Sequence, residues 1–276
     1  MIKLKNEEET MEAISGVFQT RTRAQNAVKE ALKAGIPSDR LTLLTPGTVD
    51  QVNKELQSVP TDTAEQPGMG KAIGALAGGG VGITGGSLLM ALVPGVGPIT
   101  ALGLLGAAIV GAAGATVGAT VGDEIEKSTT QGLPEDEIFV YEDALRQGRS
   151  VVIVLADDKQ QASLLRELLK MQGAESVDAA REQWWIGLRS AEESHYSKSG
   201  KNFAQDEEYF RRGFEAALHS RTRCLEFDQV SAAMDAALED IQREHPGAEV
   251  EEAFTRGYQR GREYYQQRCD ETRKAA

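Results

Sequence analysis

Residues 72–122 read AIGALAGGGVGITGGSLLMALVPGVGPITALGLLGAAIVGAAGATVGATVG, and the reading of this stretch decides the fold. Lys71 precedes it, Asp123 follows it, and none of the 51 residues between carries a charge. Pro94-Gly95-Val96-Gly97-Pro98 supplies a turn near the middle. Two arms remain, Ala72–Val93 and Ile99–Val121, of 22 and 23 residues. At about 1.5 Å rise per residue each would form a helix of roughly 33 Å, enough to cross the hydrocarbon core of a bilayer.

The glycines of the stretch are periodic. Gly70, Gly74, Gly78, Gly82 and Gly86 recur at every fourth position, and Gly106, Gly114, Gly118 and Gly122 keep that phase in the second arm. A spacing of four places them on one helix face, where another helix can approach closely. Glycine inside a helix in water costs about 1 kcal/mol relative to alanine. Seven glycines in Ala72–Val93 therefore make sense only with close helix packing, in lipid or between protomers. The expectation is a glycine-zipper helical hairpin that oligomerises in or on the cytoplasmic membrane, with the soluble parts in the cytoplasm. The alternative is a hairpin buried between protomers of a soluble cytoplasmic oligomer. Each arm holds only eight Ile, Leu or Val residues, and neither has Trp or Tyr at its ends. Gly80-Val81-Gly82-Ile83-Thr84-Gly85 matches a dinucleotide fingerprint by letter. No strand precedes it and the next acid is Asp123, so no cofactor is expected.

Outward from the stretch, the flanks read as two halves of one domain. Ala13–Phe18 is a strand, and a helix from about Thr22 to Ala34 buries Ala24, Ala27, Val28, Ala31 and Leu32 on one face. Gly35 ends it, Ile36-Pro37-Ser38-Asp39 turns the chain, and Leu41–Thr45 is a second strand. Pro46–Gly68 is a polar linker with one short helix. On the far side, a helix opened by Pro134 runs to about Gln147. Val151–Ala156 has the unbroken apolar pattern of an inner strand. Asp157 or Asp158 caps a helix with the stripe Ala162, Leu165, Leu168 and Leu169, and Glu175–Val177 is a last short strand. The fold class is α+β: a ferredoxin-like split β-α-β sandwich interrupted by the hairpin and followed by an all-α C-terminal region. The helix before Gly148, or a second protomer, would cover the outer sheet face. The segments are 1–68, 69–122, 123–180 and 181–276.

The order strand, Thr-x-x-x-Ala-x-x-Ala-Val helix, Ala34-Gly35-Ile36-Pro37-x-x-Arg40, strand resembles the bacterial general stress protein 17M-like domain. Gly132-Leu133-Pro134-Glu135-Asp136-Glu137, Tyr141-Glu142, Gly148 and the Val151–Asp158 strand extend the resemblance, which covers about Ala13–Asp178. It implies a non-enzymatic, stress-associated protein with a glycine-zipper segment and no catalytic residues. The second functional reading is a soluble, oligomeric ligand-binding or regulatory protein.

The C-terminal region opens at Trp184-Trp185, turns through Ser190–Lys201 and carries a weak repeat. Phe210-Arg211-Arg212-Gly213-Phe214 returns 44 residues later as Phe254-Thr255-Arg256-Gly257-Tyr258, with a helix at Phe227–Glu244 between. Arg212, Phe214, Arg256 and Tyr258 could contact a protein partner, since Arg and Tyr are favoured at binding hot spots. The plainer reading is helix packing, with glycine permitting close approach and aromatics filling the seam.

Charge and chemistry narrow the function. The chain has 30 Lys+Arg against 42 Asp+Glu, a net charge of −12, and no basic run in sequence. Nucleic acid and anionic lipid surfaces both call for positive charge, so neither is expected as a general partner; a membrane entered through the uncharged hairpin, and self-association, are. His195, His219 and His245 lack metal-ligand spacing, and Cys224 and Cys269 lack a nucleophile's base. No catalytic, cofactor or metal site is expected.

Overall fold

The computed structural model describes residues 11–47, 88–93, 95–103, 109, 116–117, 136–223, 225, 229–246 and 250–275. Strand β1 (Glu12–Phe18) leads into helix α1 (Arg21–Lys33), where the Thr20 side chain accepts from the Arg23 N–H and caps the first turn. Gly35, at φ +90°, lets the chain leave the helix toward β2 (Leu41–Pro46). Helix α2 (Ile138–Arg146) precedes β6 (Ser150–Ala156), which is buried at all seven positions. Asp158 then caps α3 (Lys159–Met171) by accepting from the Gln161 N–H.

With β3 (Leu88–Val93), β4 (Gly97–Gly103) and β5 (Thr116–Val117), the sheet has six strands in the order β1-β6-β2-β4-β3-β5, and every pairing is antiparallel. β6 therefore lies between β1 and β2, which run parallel to each other. Alternation along β6 divides the core into two layers. Val152, Val154 and Ala156 pack with Ala24, Ala27 and Ala31 of α1 and with Ala162, Leu165 and Leu169 of α3. Val151, Ile153 and Leu155 face the other way, toward Ile138, Tyr141, Ala144 and Leu145 of α2. The expected cover for the outer sheet face is thus α2, with the C-terminal helices behind it.

The centre of the uncharged stretch corrects the helical reading. Leu88–Val93 is strand β3 and Gly97–Gly103 is strand β4; they pair antiparallel and β4 pairs with β2. A two-residue strand, β5 (Thr116–Val117), pairs with β3. The turn is where the sequence placed it: the Val96 N–H donates to the Val93 carbonyl at 3.1 Å, and Gly95 takes φ +77°. Physically, a six-residue apolar run carries no period that separates helix from strand. The β2 edge offers an unpaired ladder of donors and acceptors, and β4 fills it. Gly103, at φ +108°, passes so close to Leu41 that a Cβ would strike its carbonyl, so this glycine serves strand packing. The zipper positions Gly70, Gly74, Gly78, Gly82, Gly86, Gly106, Gly114, Gly118 and Gly122 lie outside the described residues, as does most of the linker. Among the described residues, no helix is long and apolar enough to cross a membrane.

Other boundaries move. The last strand shrinks to one bridge, Val17 with Glu175, with N–H to carbonyl distances of 2.9 and 2.8 Å. Ser176 then caps α4 (Val177–Tyr196), so the expected boundary at 180/181 falls inside a helix, and Ser190–Tyr196 is helical and not a turn. A polar run at the end of a helix with a buried opposite face was misread as a loop. A short 3-10 turn and Gly200, at φ +77°, lead to α5 (Phe203–Leu218), then α6 (Ser231–Glu244) and α7 (Val250–Ala275).

Candidate functional site

The two repeat copies meet. Gly213 of α5 faces Phe254 of α7, and Gly257 of α7 faces Phe210 of α5. A Cβ at either glycine would lie 2.8 Å from the opposing carbonyl carbon and nearer still to its oxygen. One turn on, a Cβ at Gly261 would sit 2.9 Å from the Ala217 Cβ. The contact is reciprocal, each motif's glycine receiving the other's aromatic backbone. Such an approach brings Cα–H groups against carbonyl oxygens, the geometry of weak backbone contacts in close helix pairs. A glycine-mediated helix crossing therefore exists in the chain, in the tail.

Aromatic rings seal this crossing. Phe214 lies 5.9 Å from Trp184 and 6.0 Å from Trp185, both edge-on, and Phe210 and Phe203 continue the cluster toward Tyr196. Carboxylates clamp its rim. Glu192, buried, accepts a fork from Arg260 at 2.9 and 2.8 Å. Glu207 accepts from Arg189 at 2.7 and 2.8 Å and from the Trp185 Nε1 at 2.9 Å. The Arg189 hydrogen bonds hold the Glu207 carboxyl below its ordinary pKa.

Of the residues proposed for partner contact, Phe214 and Tyr258 are fully buried inside this seam. The Tyr258 hydroxyl donates to the Thr222 carbonyl at 3.2 Å. Arg212 reaches Glu208 and Glu244, and Arg256 reaches Glu252. Packing thus takes the aromatic half of the motif, and the arginines stay on the partly exposed rim. Arg256 also borders an open cleft of about 770 Å³ with Gln242, Val250, Glu252, Thr255 and Gln259.

Helix α2 is the hub joining the α+β unit to the tail. The Arg223 Nη1 donates to Glu142 at 2.6 Å, both side chains being nearly closed to solvent, and the guanidinium lies 4.9 Å from the Tyr265 ring. Burial raises the Glu142 carboxyl's pKa although Arg223 pulls it down, and burial likewise raises that of the Tyr265 phenol. Asp143 pairs with Arg146, which is 3.3 Å from the Tyr264 hydroxyl. Phe139 stacks edge-on against Trp184 at 4.9 Å, and Gly95 of the β3–β4 turn touches Arg268. On the sheet side, the Ser15 and Tyr141 hydroxyls are 2.6 Å apart, and both donate to Glu137. Burial raises the Glu137 carboxyl's pKa against these hydrogen bonds. Among the described residues no imidazole or thiol bonds to these three side chains, whose hydroxyls and carboxylate satisfy one another. Among the described residues no group of His, Cys, Asp or Glu could hold a metal ion. His245 contacts Glu208 and Tyr209, and the His219 Nδ1 accepts the Arg221 N–H.

Sequence reasoning missed Gly261, though it stands four residues after Gly257, and missed the Glu142–Arg223 and Glu192–Arg260 pairs, which no spacing announces. Fold and site define a mixed α/β unit carrying a docked helical module. No protein-family model, curated protein or solved structure matches this chain.

Proposed function

We propose that the protein is a non-enzymatic interaction protein that self-associates through its uncharged stretch, with a ferredoxin-like α+β unit and a helical tail acting as one body. The single observation that carries this reading is the incorporation of β3 and β4, from the middle of the stretch, into the sheet. Among the described residues, β3 has only Ala91 and Leu92 paired on its outer side. An apolar strand with an open edge is a template for another chain. The order Glu175, β1, β6, β2, with α1 and α3 on one face, supports the ferredoxin-like assignment. Association with a stress response rests on the family resemblance.

The same observation weighs against a bilayer-crossing hairpin. With Leu88–Val93 and Gly97–Gly103 in strands, residues 72–87 supply 16 uncharged positions, short of the roughly 20 a spanning helix needs. Residues 104–122 are interrupted by β5. The test is light scattering on the full chain purified without detergent, together with alkaline carbonate extraction of membranes. A discrete oligomer is expected, and Met90→Lys, which puts a charge on the open strand, should dissociate it. A monomer at all concentrations, or a protein extracted only by detergent, refutes the reading.

A further inference from the structure

We propose that the α1–α3 face of the sheet, opposite the tail, is a docking surface for anionic lipid membranes. The chain as a whole is acidic, but this face is not. Helix α1 carries four basic residues against Glu30, and α3 carries three against Glu167, so the pair holds +5 in a chain of −12. The two helices lie far apart in sequence, which is why no basic run announces the patch. The sheet brings them side by side through their shared core.

Within this basic field stand the two most exposed large apolar side chains among the described residues, Leu164 at 66 % and Met171 at 76 %. They are seven residues apart on α3, two helical turns, and so project from the same side. The Arg23 guanidinium lies 3.4 Å from where a side chain on Gly173 would begin, which puts it at the C-terminal end of α3 with Lys170 and Met171. Arg23, Lys29, Lys159 and Lys170 have no ion pair among the described residues, and Arg23, Lys159 and Lys170 are exposed. Of the acids nearby, Glu30 is paired with Lys33, Glu12 with Arg166 and Asp157 with Arg40, while Glu167, one turn from both Leu164 and Met171, and Asp158 at the helix N-cap are exposed without an ion pair among the described residues.

Protruding apolar side chains flanked by unpaired cations that outnumber the exposed acids Glu167 and Asp158 match a leaflet of anionic headgroups over acyl chains. The cations meet the phosphates while Leu164 and Met171 reach past them. The cleft beside Arg256 belongs to the tail helices, and two helices side by side with protruding side chains suit a flat surface better than a bound peptide. This docking is separate from the self-association proposed above, since it uses the helix-covered face and neither the β3 edge nor any of the uncharged stretch.

The test is co-sedimentation of the full chain with phosphatidylglycerol-containing vesicles and with pure phosphatidylcholine vesicles, at low and high salt. Binding to the anionic vesicles alone, lost at high salt, is expected. Each basic residue near such a surface contributes roughly fivefold, so Arg23→Glu with Lys170→Glu should weaken binding by about twenty-five-fold or more. Leu164→Ser with Met171→Ser should weaken it while leaving the salt dependence. Arg243→Glu, a charge reversal at an exposed site on α6, is the control and should change nothing of this size. These sites are exposed, and unchanged circular dichroism shows that the variants fold. No binding to anionic vesicles overturns the proposal. So does binding indifferent to salt and to the patch variants, which would assign lipid contact to the uncharged stretch. Patch variants that change the oligomer's mass or binding to duplex DNA, with vesicle binding absent, overturn it in favour of an acidic chain or a nucleic acid.

Discussion

Adding one methyl group at Gly257 tests the helix crossing directly. An alanine Cβ there would stand 2.8 Å from the Phe210 carbonyl carbon and 3.0 Å from the Phe210 Cα, and closer to the oxygen. Carbon atoms in contact prefer about 3.5 Å or more, so α5 and α7 must part by close to ~1 Å. The obstructing atoms are backbone on both sides, and no side chain can turn away to make room. Overpacking of this kind costs about 1–3 kcal/mol and sometimes more. Against it stands the gain of about 1 kcal/mol from replacing a helical glycine with alanine. The net expectation for Gly257→Ala is a loss of up to about 2 kcal/mol. Gly187 of α4 is the internal control, because a Cβ there meets nothing within 4 Å. Gly187→Ala should stabilise by up to about 1 kcal/mol. Urea unfolding followed by tryptophan emission reads both, since Trp184 and Trp185, the two tryptophans of the chain, pack against Phe214 in the seam. Midpoints shifted in opposite directions are expected. If both variants stabilise alike, the close crossing of α5 and α7 is wrong.

Two further outcomes concern α2. Arg223→Met leaves the Glu142 carboxylate buried without its partner and should cost about 3 kcal/mol, while the double variant with Glu142→Leu should recover most of that; a double-mutant cycle with no coupling would contradict the clasp. The sign for Glu137 follows from its raised pKa: the folded state binds its proton more tightly than the unfolded chain does. Its contribution to stability is present below the ordinary glutamate range and is lost as pH rises through the raised value. Glu137→Gln should therefore gain relative to the wild type as pH rises from about 4 to 7, as read from urea midpoints at each pH; parallel curves would remove the burial argument.

The α+β core was legible because its signals are local. The stripe Ala24, Ala27, Val28, Ala31 and the run Val151–Ala156 each show their burial in their own periodicity, and Gly35, Gly148 and Gly173 mark ends at positive φ. The Leu88–Val93 segment reads as helix because the β2 edge, on which its partner β4 forms, lies more than forty residues away, and nothing in six apolar residues tells helix from strand. Spacing-of-four glycines drew attention to the centre of the chain. The close crossing among the described residues is made by Gly213, Gly257 and Gly261, where aromatic neighbours supply the packing that glycine lacks. Charge was legible in total but not in space, since the basic patch exists only once α1 and α3 are neighbours.

The place of β6 between β1 and β2 has a consequence for how the molecule is made. β1 has no neighbouring strand, and β2 has only β4, until Ser150–Ala156 has left the ribosome, about a hundred residues after β2. At roughly 5–20 residues per second, that is on the order of 5–20 s during which β1, α1 and β2 wait and the entire uncharged stretch emerges. The nascent chain thus exposes its most apolar segment before its sheet has a centre. A chaperone that holds such segments during translation would be needed most in that interval, and truncation just before Ser150 should yield an aggregating chain where the full-length protein folds.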